Sequence, residues 1–197
     1  PMPAAPAPAP EAPPRLMTGF NNNSVLRGTA TPDQSAQIMD TLGGEVDRVQ
    51  MDWKNLEPSP GTYRFDTFDR IYQADLARGI KPLFNLAYAP SWAAGSACTG
   101  ITGTCHASPA PAYYDDYART LAVIAARYPQ AAGVEVWNEP NLVNFWRPAV
   151  DAGAYAALLK EAYAAVKAVA PAMPVAGASL ATSEMTTFFQ GVLDAGA

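Results

Sequence analysis

Charge is scarce in this 197-residue chain: 16% of its residues are Asp, Glu, Lys or Arg, and they leave a net charge of -5. With no basic cluster, neither nucleic acid nor an anionic membrane surface is an expected partner. No apolar run approaches the ~20 residues of a membrane span, so none is expected. One histidine, His106, and two cysteines, Cys98 and Cys105, give metal chemistry few ligands, and no metal site is expected. No Gly-x-Gly-x-x-Gly follows the first strand and no phosphate loop occurs, which argues against a nucleotide; no cofactor is expected. Nothing in the sequence speaks to oligomeric state.

What is present is apolar side chain in quantity, 49% of the residues, enough for a real core. Proline is also abundant, but seven of the 19 fall in the first fourteen residues. Residues 1–15 read PMPAAPAPAPEAPPR. Such a tract cannot bury a core and is expected to be a disordered, semi-rigid tether. A spacer beyond a removed export signal is favoured over a ligand for an SH3-type domain.

From residue 16 the pattern alternates strand and helix. Residues 16–20, 46–51, 80–86, 134–136 and 175–178 read as strands. Thr31-Pro32-Asp33-Gln34 announces a first helix, with Ile38, Met39 and Leu42 as its apolar stripe. Asp66 is expected to cap a helix carrying Phe68, Ile71, Tyr72 and Leu76. Tyr113, Tyr117, Leu121 and Ile124 mark another, and Tyr155, Leu158, Leu159, Ala162 and Val166 the next, with Asp151 at its cap. A last helix spans residues 182–193. Five strands, each with a helix behind it, predict a parallel α/β sheet with right-handed crossovers. Both an open doubly wound sheet and a (β/α)8 TIM barrel fit that periodicity; a full barrel needs eight such units and ~250 residues.

The most informative stretch is Val134-Glu135-Val136-Trp137-Asn138-Glu139-Pro140-Asn141. A β-branched run gives way to an acid and at once to proline, so the strand stops where the carboxylate stands. Parallel α/β folds keep their chemistry at that edge.

Trp137-Asn138-Glu139-Pro140-Asn141 resembles the acid/base signature of the clan A glycoside hydrolases, retaining enzymes on a (β/α)8 barrel. Residues 46–53, VDRVQMDW, are similar to the clan's second strand, whose arginine lies near the nucleophile. Leu56-Glu57-Pro58 with Gly61-Thr62-Tyr63, and Ala87-Tyr88-Ala89-Pro90-Ser91-Trp92, match in order and spacing. Asn144-Phe145-Trp146-Arg147-Pro148 resembles members close to glycoside hydrolase family 39. The resemblance implies that residues 16–197 are the N-terminal part of such a catalytic barrel, its first five or so units. It implies hydrolysis of O-glycosidic bonds in a poly- or oligosaccharide, and a carbohydrate as the substrate partner.

Residue by residue, Glu139 is expected to be the general acid/base, its proton made available by apolar neighbours such as Trp137 and Phe145. Asn138 has an amide suited to a sugar 2-hydroxyl. Arg48 sits in a strand and needs a carboxylate partner: the nucleophile that the resemblance implies, or a structural pairing with Asp47, Asp52 or Glu135. Tyr88, Trp92, Trp137 and Trp146 are candidate substrate-binding aromatics, with Trp92 and Trp146 favoured as platforms. Glu57 and Glu135 read as structural. Cys98 and Cys105 enclose a short Gly/Thr-rich loop and read as a disulfide, against a metal site formed with His106. That bond and the Pro/Ala tract together point to a secreted or envelope protein, expected to be bacterial.

A retaining mechanism needs a second carboxyl roughly 5 Å from the first. After Glu139 the acids are Asp151, Glu161, Glu184 and Asp194, and none is expected at a strand end. The nucleophile is therefore expected outside these residues, and the chain by itself is expected to be inactive. The open ends of so short a sheet are expected to expose apolar helix faces. The competing readings are a non-catalytic carbohydrate-binding protein and an unrelated nucleotide-dependent α/β enzyme.

Overall fold

The computed structural model describes residues 16–100 and 105–197. The expected tether, residues 1–15, lies outside the described residues.

Five strands form one sheet: β1 (Gly19–Asn21), β2 (Val46–Asp52), β3 (Lys81–Ala87), β4 (Gly133–Val136) and β5 (Val175–Ala176). All pairings are parallel and the order across the sheet is β1-β2-β3-β4-β5. The helices are α1 (Pro32–Thr41), a short α2 (Trp53–Leu56), α3 (Asp66–Leu76), α4 (Tyr114–Arg127), α5 (Ala152–Val169) and α6 (Met185–Asp194). A doubly wound sheet reverses its strand order at a switch point. Here each strand is laid beside its predecessor without reversal, which is barrel ordering.

Register assigns the two faces. Phe84 pairs with Val49 and with Val134, and Leu86 with Met51 and Val136, so these side chains share one face. They are buried in the core with Phe68, Ile71 and Tyr72 of α3, Leu121 and Ile124 of α4 and Leu158 of α5. Each such burial stabilises by roughly 1.5–3 kcal/mol. The other face carries Arg48, Gln50 and Asp52 of β2, Asn85 of β3 and Glu135 of β4. Along β2, buried positions alternate with half-open ones, and after Val46 the half-open ones are the polar Arg48, Gln50 and Asp52. In barrel ordering this is the inward face.

Asp47 breaks the pattern. It stands on the helix-facing side of β2 at 2% exposure, beside Asp75 of α3 at 1%. Burial pushes both carboxyls well above the ordinary range, and for Asp75 the neighbouring Asp47 adds to it. Asp47 Oδ1 and Asp75 Oδ2 have no hydrogen-bond partner among the described residues. A proton held between the two acids satisfies both better than two buried charges would.

The helix ends follow local chemistry. Thr31 and Gln34 form a capping box, and Asp151 Oδ1 accepts from the Ala154 N–H at 2.9 Å. Asp66 is not a cap: it is the first residue of α3, and Phe65 precedes it without a side-chain bond. The apolar stripe of α1 is also displaced. Ser35, Ala36 and Met39 face inward, Ser35 bonded to Asn22 and Ser24 and Met39 lying against Asn22 after β1, while Ile38 and Leu42 are exposed. At the sheet's two ends Phe20, Ile38 and Leu42 on one side, and Met185, Phe189 and Leu193 on the other, lie open to solvent, as the sequence predicts.

Candidate active site

The carboxyl ends of β2, β3 and β4 meet around residues 137–139. The Trp137 N–H donates to Leu86 O at 3.0 Å, carrying the β3–β4 ladder one residue beyond β4. The Glu139 N–H donates to Ser179 O at 2.9 Å, so the acid is tied to the segment following β5. Pro140 then ends any further laddering. Tyr88, Trp137 and Glu139 have φ of 65°, 74° and 48°, the left-handed region that side chains avoid. Each such residue costs on the order of 1–3 kcal/mol, and they gather at functional sites.

Hydrogen bonds hold this backbone in place. Asn85 Nδ2 donates to Trp137 O at 2.5 Å, and Trp137 Nε1 donates to Phe145 O at 2.8 Å. Asn141 accepts from the Ala181 N–H and donates to Ala181 O and Ser183 O. The result presents Glu139 half-exposed, with no hydrogen bond or ion pair to its carboxyl among the described residues.

Beneath it runs a polar chain. Arg48 Nε and Nη2 grip Glu135 at 2.6 and 2.9 Å, and the same Nη2 donates to Asn138 Oδ1 at 3.0 Å. Glu135 Oε1 also accepts from the Ser179 N–H and hydroxyl. Arg48 therefore finds its carboxylate in Glu135, among the structural alternatives left open by the sequence. Asn138 Nδ2 donates to the Tyr88 hydroxyl at 3.1 Å. Its amide is oriented at both ends, and one Nδ2 hydrogen stays uncommitted among the described residues. Burial pushes the Tyr88 phenol up to about 12, so it is neutral.

The aromatics divide by exposure. Trp137 is fully buried and Trp146 is 2% exposed, packed edge-on to each other, so neither offers a ring face to a ligand. They frame the mouth from within. Trp92 is half-buried, donates to Glu57 O at 3.1 Å and packs on Trp53 and Tyr113. Glu57 itself is fully buried, accepting from Trp53 Nε1, the Gly61 N–H and the Thr120 hydroxyl. Tyr88 is 3% exposed because His106 and Phe145 lie against it. Those two half-buried rings, rather than the tryptophans, are the outward aromatic surface next to Asn138. No sequence signal placed His106 there, since the chain returns to the mouth only after a long loop.

That return is fastened. Cys98 and Cys105 form a disulfide with Cα atoms 5.8 Å apart, so both sulfurs are committed and the metal alternative with His106 falls away. Ala107 O accepts from the Ala89 N–H, Ala107 bridges to Arg147, and Ser108 Oγ donates to Arg147 O. His106 is shifted toward its neutral form, first by burial and then by the Lys54 cation. Beside the mouth a cleft of about 550 Å³ opens over Asn23, Gln50, Asp52 and Arg64.

Comparison with known proteins places the arrangement. The family model for glycosyl hydrolases family 39 matches residues 40–193. A beta-xylosidase of Geobacillus stearothermophilus is 30% identical over 126 residues, 60% of this chain and 25% of that protein. A family 39 glycoside hydrolase from the gut symbiont Bacteroides cellulosilyticus WH2 superposes with a TM-score of 0.66 at 26% identity, covering 84% of this chain and 33% of that one. The family 39 enzyme of Xanthomonas axonopodis pv. citri gives 0.59 at 28%, covering 81% and 34%. The chain thus spans about a quarter of the curated relative and a third of the solved structures. Its five strands are the first β/α units of a (β/α)8 barrel.

Proposed function

The chain belongs to glycosyl hydrolases family 39, and from that membership we propose that it carries the acid/base half of a retaining glycosidase. The observation supporting this is Glu139: a carboxyl on left-handed backbone at the end of β4, free of protein partners among the described residues, beside an amide oriented for a hydroxyl. In this reading Glu139 protonates the departing glycosidic oxygen, then deprotonates the water that releases the sugar. The free Nδ2 hydrogen of Asn138 meets the sugar 2-hydroxyl, and the Arg48–Glu135 pair holds that amide in register.

The second carboxylate is proposed to come from outside residues 16–197. The carboxylates nearest the mouth are engaged: Glu135 by Arg48 and Ser179, Glu57 by three donors, Asp52 by Gln50 and Asn55. These 197 residues alone then give no turnover. The disulfide supports an extracytoplasmic setting for the whole protein. Xylosides are the first substrates to try, given the beta-xylosidase relative.

The test is hydrolysis of aryl and alkyl β-glycosides by the full-length protein with and without Glu139→Gln. Loss of acid assistance lowers turnover by about 10²–10⁴-fold, most where the leaving group is a poor one. Unchanged turnover in the variant, or turnover by residues 16–197 alone at the full-length rate, defeats the reading.

A further inference from the structure

We propose that His106 is a substrate-contacting residue of this mouth, one nitrogen of its imidazole hydrogen-bonding a sugar hydroxyl. The inference rests on the glycosidase reading above and adds a contact to it.

Its ring lies on Tyr88, with centroids 4.1 Å apart and planes 20° from parallel, and against Phe145 at 5.4 Å and 12°. The far edge of Tyr88 holds Asn138, one residue from Glu139. The imidazole therefore stacks on the very ring whose hydroxyl accepts from the Asn138 amide. Packing fixes its plane, and the backbone on either side is tied down by the Cys98–Cys105 bond and by the Ala89, Ala107 and Arg147 contacts. Yet neither ring nitrogen has a hydrogen-bond partner among the described residues, and neither is a buried orphan.

A ring held this firmly with both polar atoms left over has lost most of the ordering cost of binding in advance. In its neutral form it offers one donor and one acceptor. The two nitrogens point away from each other, so one of them meets a sugar hydroxyl, which can donate or accept, while the other faces solvent. What sets its charge is burial first, then the neighbouring Lys54, whose Nζ lies 5.8 Å from the Tyr88 centroid, with Asp52 and Arg147. None of them occupies a ring nitrogen.

Steady-state kinetics of the full-length protein decide the matter, on whichever of xylobiose, cellobiose, mannobiose and β-1,4-galactobiose it cleaves fastest. His106→Phe keeps the stack and removes both polar atoms; His106→Gln restores a donor and an acceptor. The expected result is a KM for His106→Phe about tenfold above the parent, the loss of one neutral hydrogen bond, with kcat within threefold and partial recovery in His106→Gln. A KM within twofold for His106→Phe overturns this proposal and leaves the glycosidase reading standing. Equal rises in both variants overturn it as well, since shape alone would then matter. Absence of cleavage of all four overturns the glycosidase reading, and this one with it.

Discussion

Arg48 of β2 and Glu135 of β4 are joined by a two-pronged ion pair that passes across the inner face of β3. Their side chains are 13% and 3% exposed, so the pair is largely desolvated. Such a pair adds little net stability, but removing one member leaves a buried charge alone. Glu135→Leu in the full-length protein is expected to lower unfolding free energy by about 3–5 kcal/mol, while Arg48→Met with Glu135→Leu recovers much of it. Denaturant titration of both variants measures this. A single variant as stable as the parent contradicts it.

Glu57 offers a sharper probe of local geometry. Its buried carboxylate accepts from an indole, a backbone N–H and a hydroxyl, so it is surrounded by donors. Glu57→Gln turns one oxygen into a donor facing a donor. The expected cost is about 1–3 kcal/mol, seen as a lower midpoint in thermal or chemical unfolding. An unshifted midpoint would mean that the amide finds an acceptor absent from this arrangement.

The Asp47–Asp75 pair makes stability depend on pH. Its folded values are pushed up to about 7 and about 8, from 3.8 in an exposed aspartate. The folded chain thus keeps protons that the unfolded chain releases, and the pair is most favourable below about pH 4. That contribution fades as pH climbs through the raised values. Asp75→Asn is expected to leave the midpoint near the parent's at pH 4 and to raise stability by on the order of 2 kcal/mol at pH 8. Parallel pH profiles for the two proteins would refute it.

The disulfide closes a loop of sequence separation 7. By chain entropy alone a loop of that size contributes about 2–3 kcal/mol. Cys98→Ser with Cys105→Ser is expected to lower the unfolding midpoint accordingly, read by calorimetry. A loss well beyond that would show that the bond supports more of the mouth than its own loop.

Much of this was legible in the chain because the relevant signals are local. Alternating apolar periodicity and capping boxes such as Thr31–Gln34 show themselves within a dozen residues, and Glu139-Pro140 marks a strand end by its chemistry alone. Glu135 was among the partners the sequence offers Arg48, but the choice between them was not legible. Glu135 lies 87 residues away and two strands over, a contact set by register rather than spacing. Exposure of the aromatics was hidden for the same reason: Trp146 reads as a platform and Trp137 as a substrate-binding aromatic, yet both are buried, packed edge-on to each other. Ile38 and Leu42 misled because helix periodicity gives an apolar side without saying which part of it a neighbour covers.

The left-handed backbone at Tyr88, Trp137 and Glu139 has a consequence for anyone seeking a hardier version of this protein. Glycine occupies that conformation without penalty, but at Tyr88 and Trp137 it would empty the core, at about 3–5 kcal/mol each. Only at half-exposed Glu139 does the exchange relieve strain without a cavity, so selection for thermal endurance is drawn to the one carboxyl that the proposed chemistry needs.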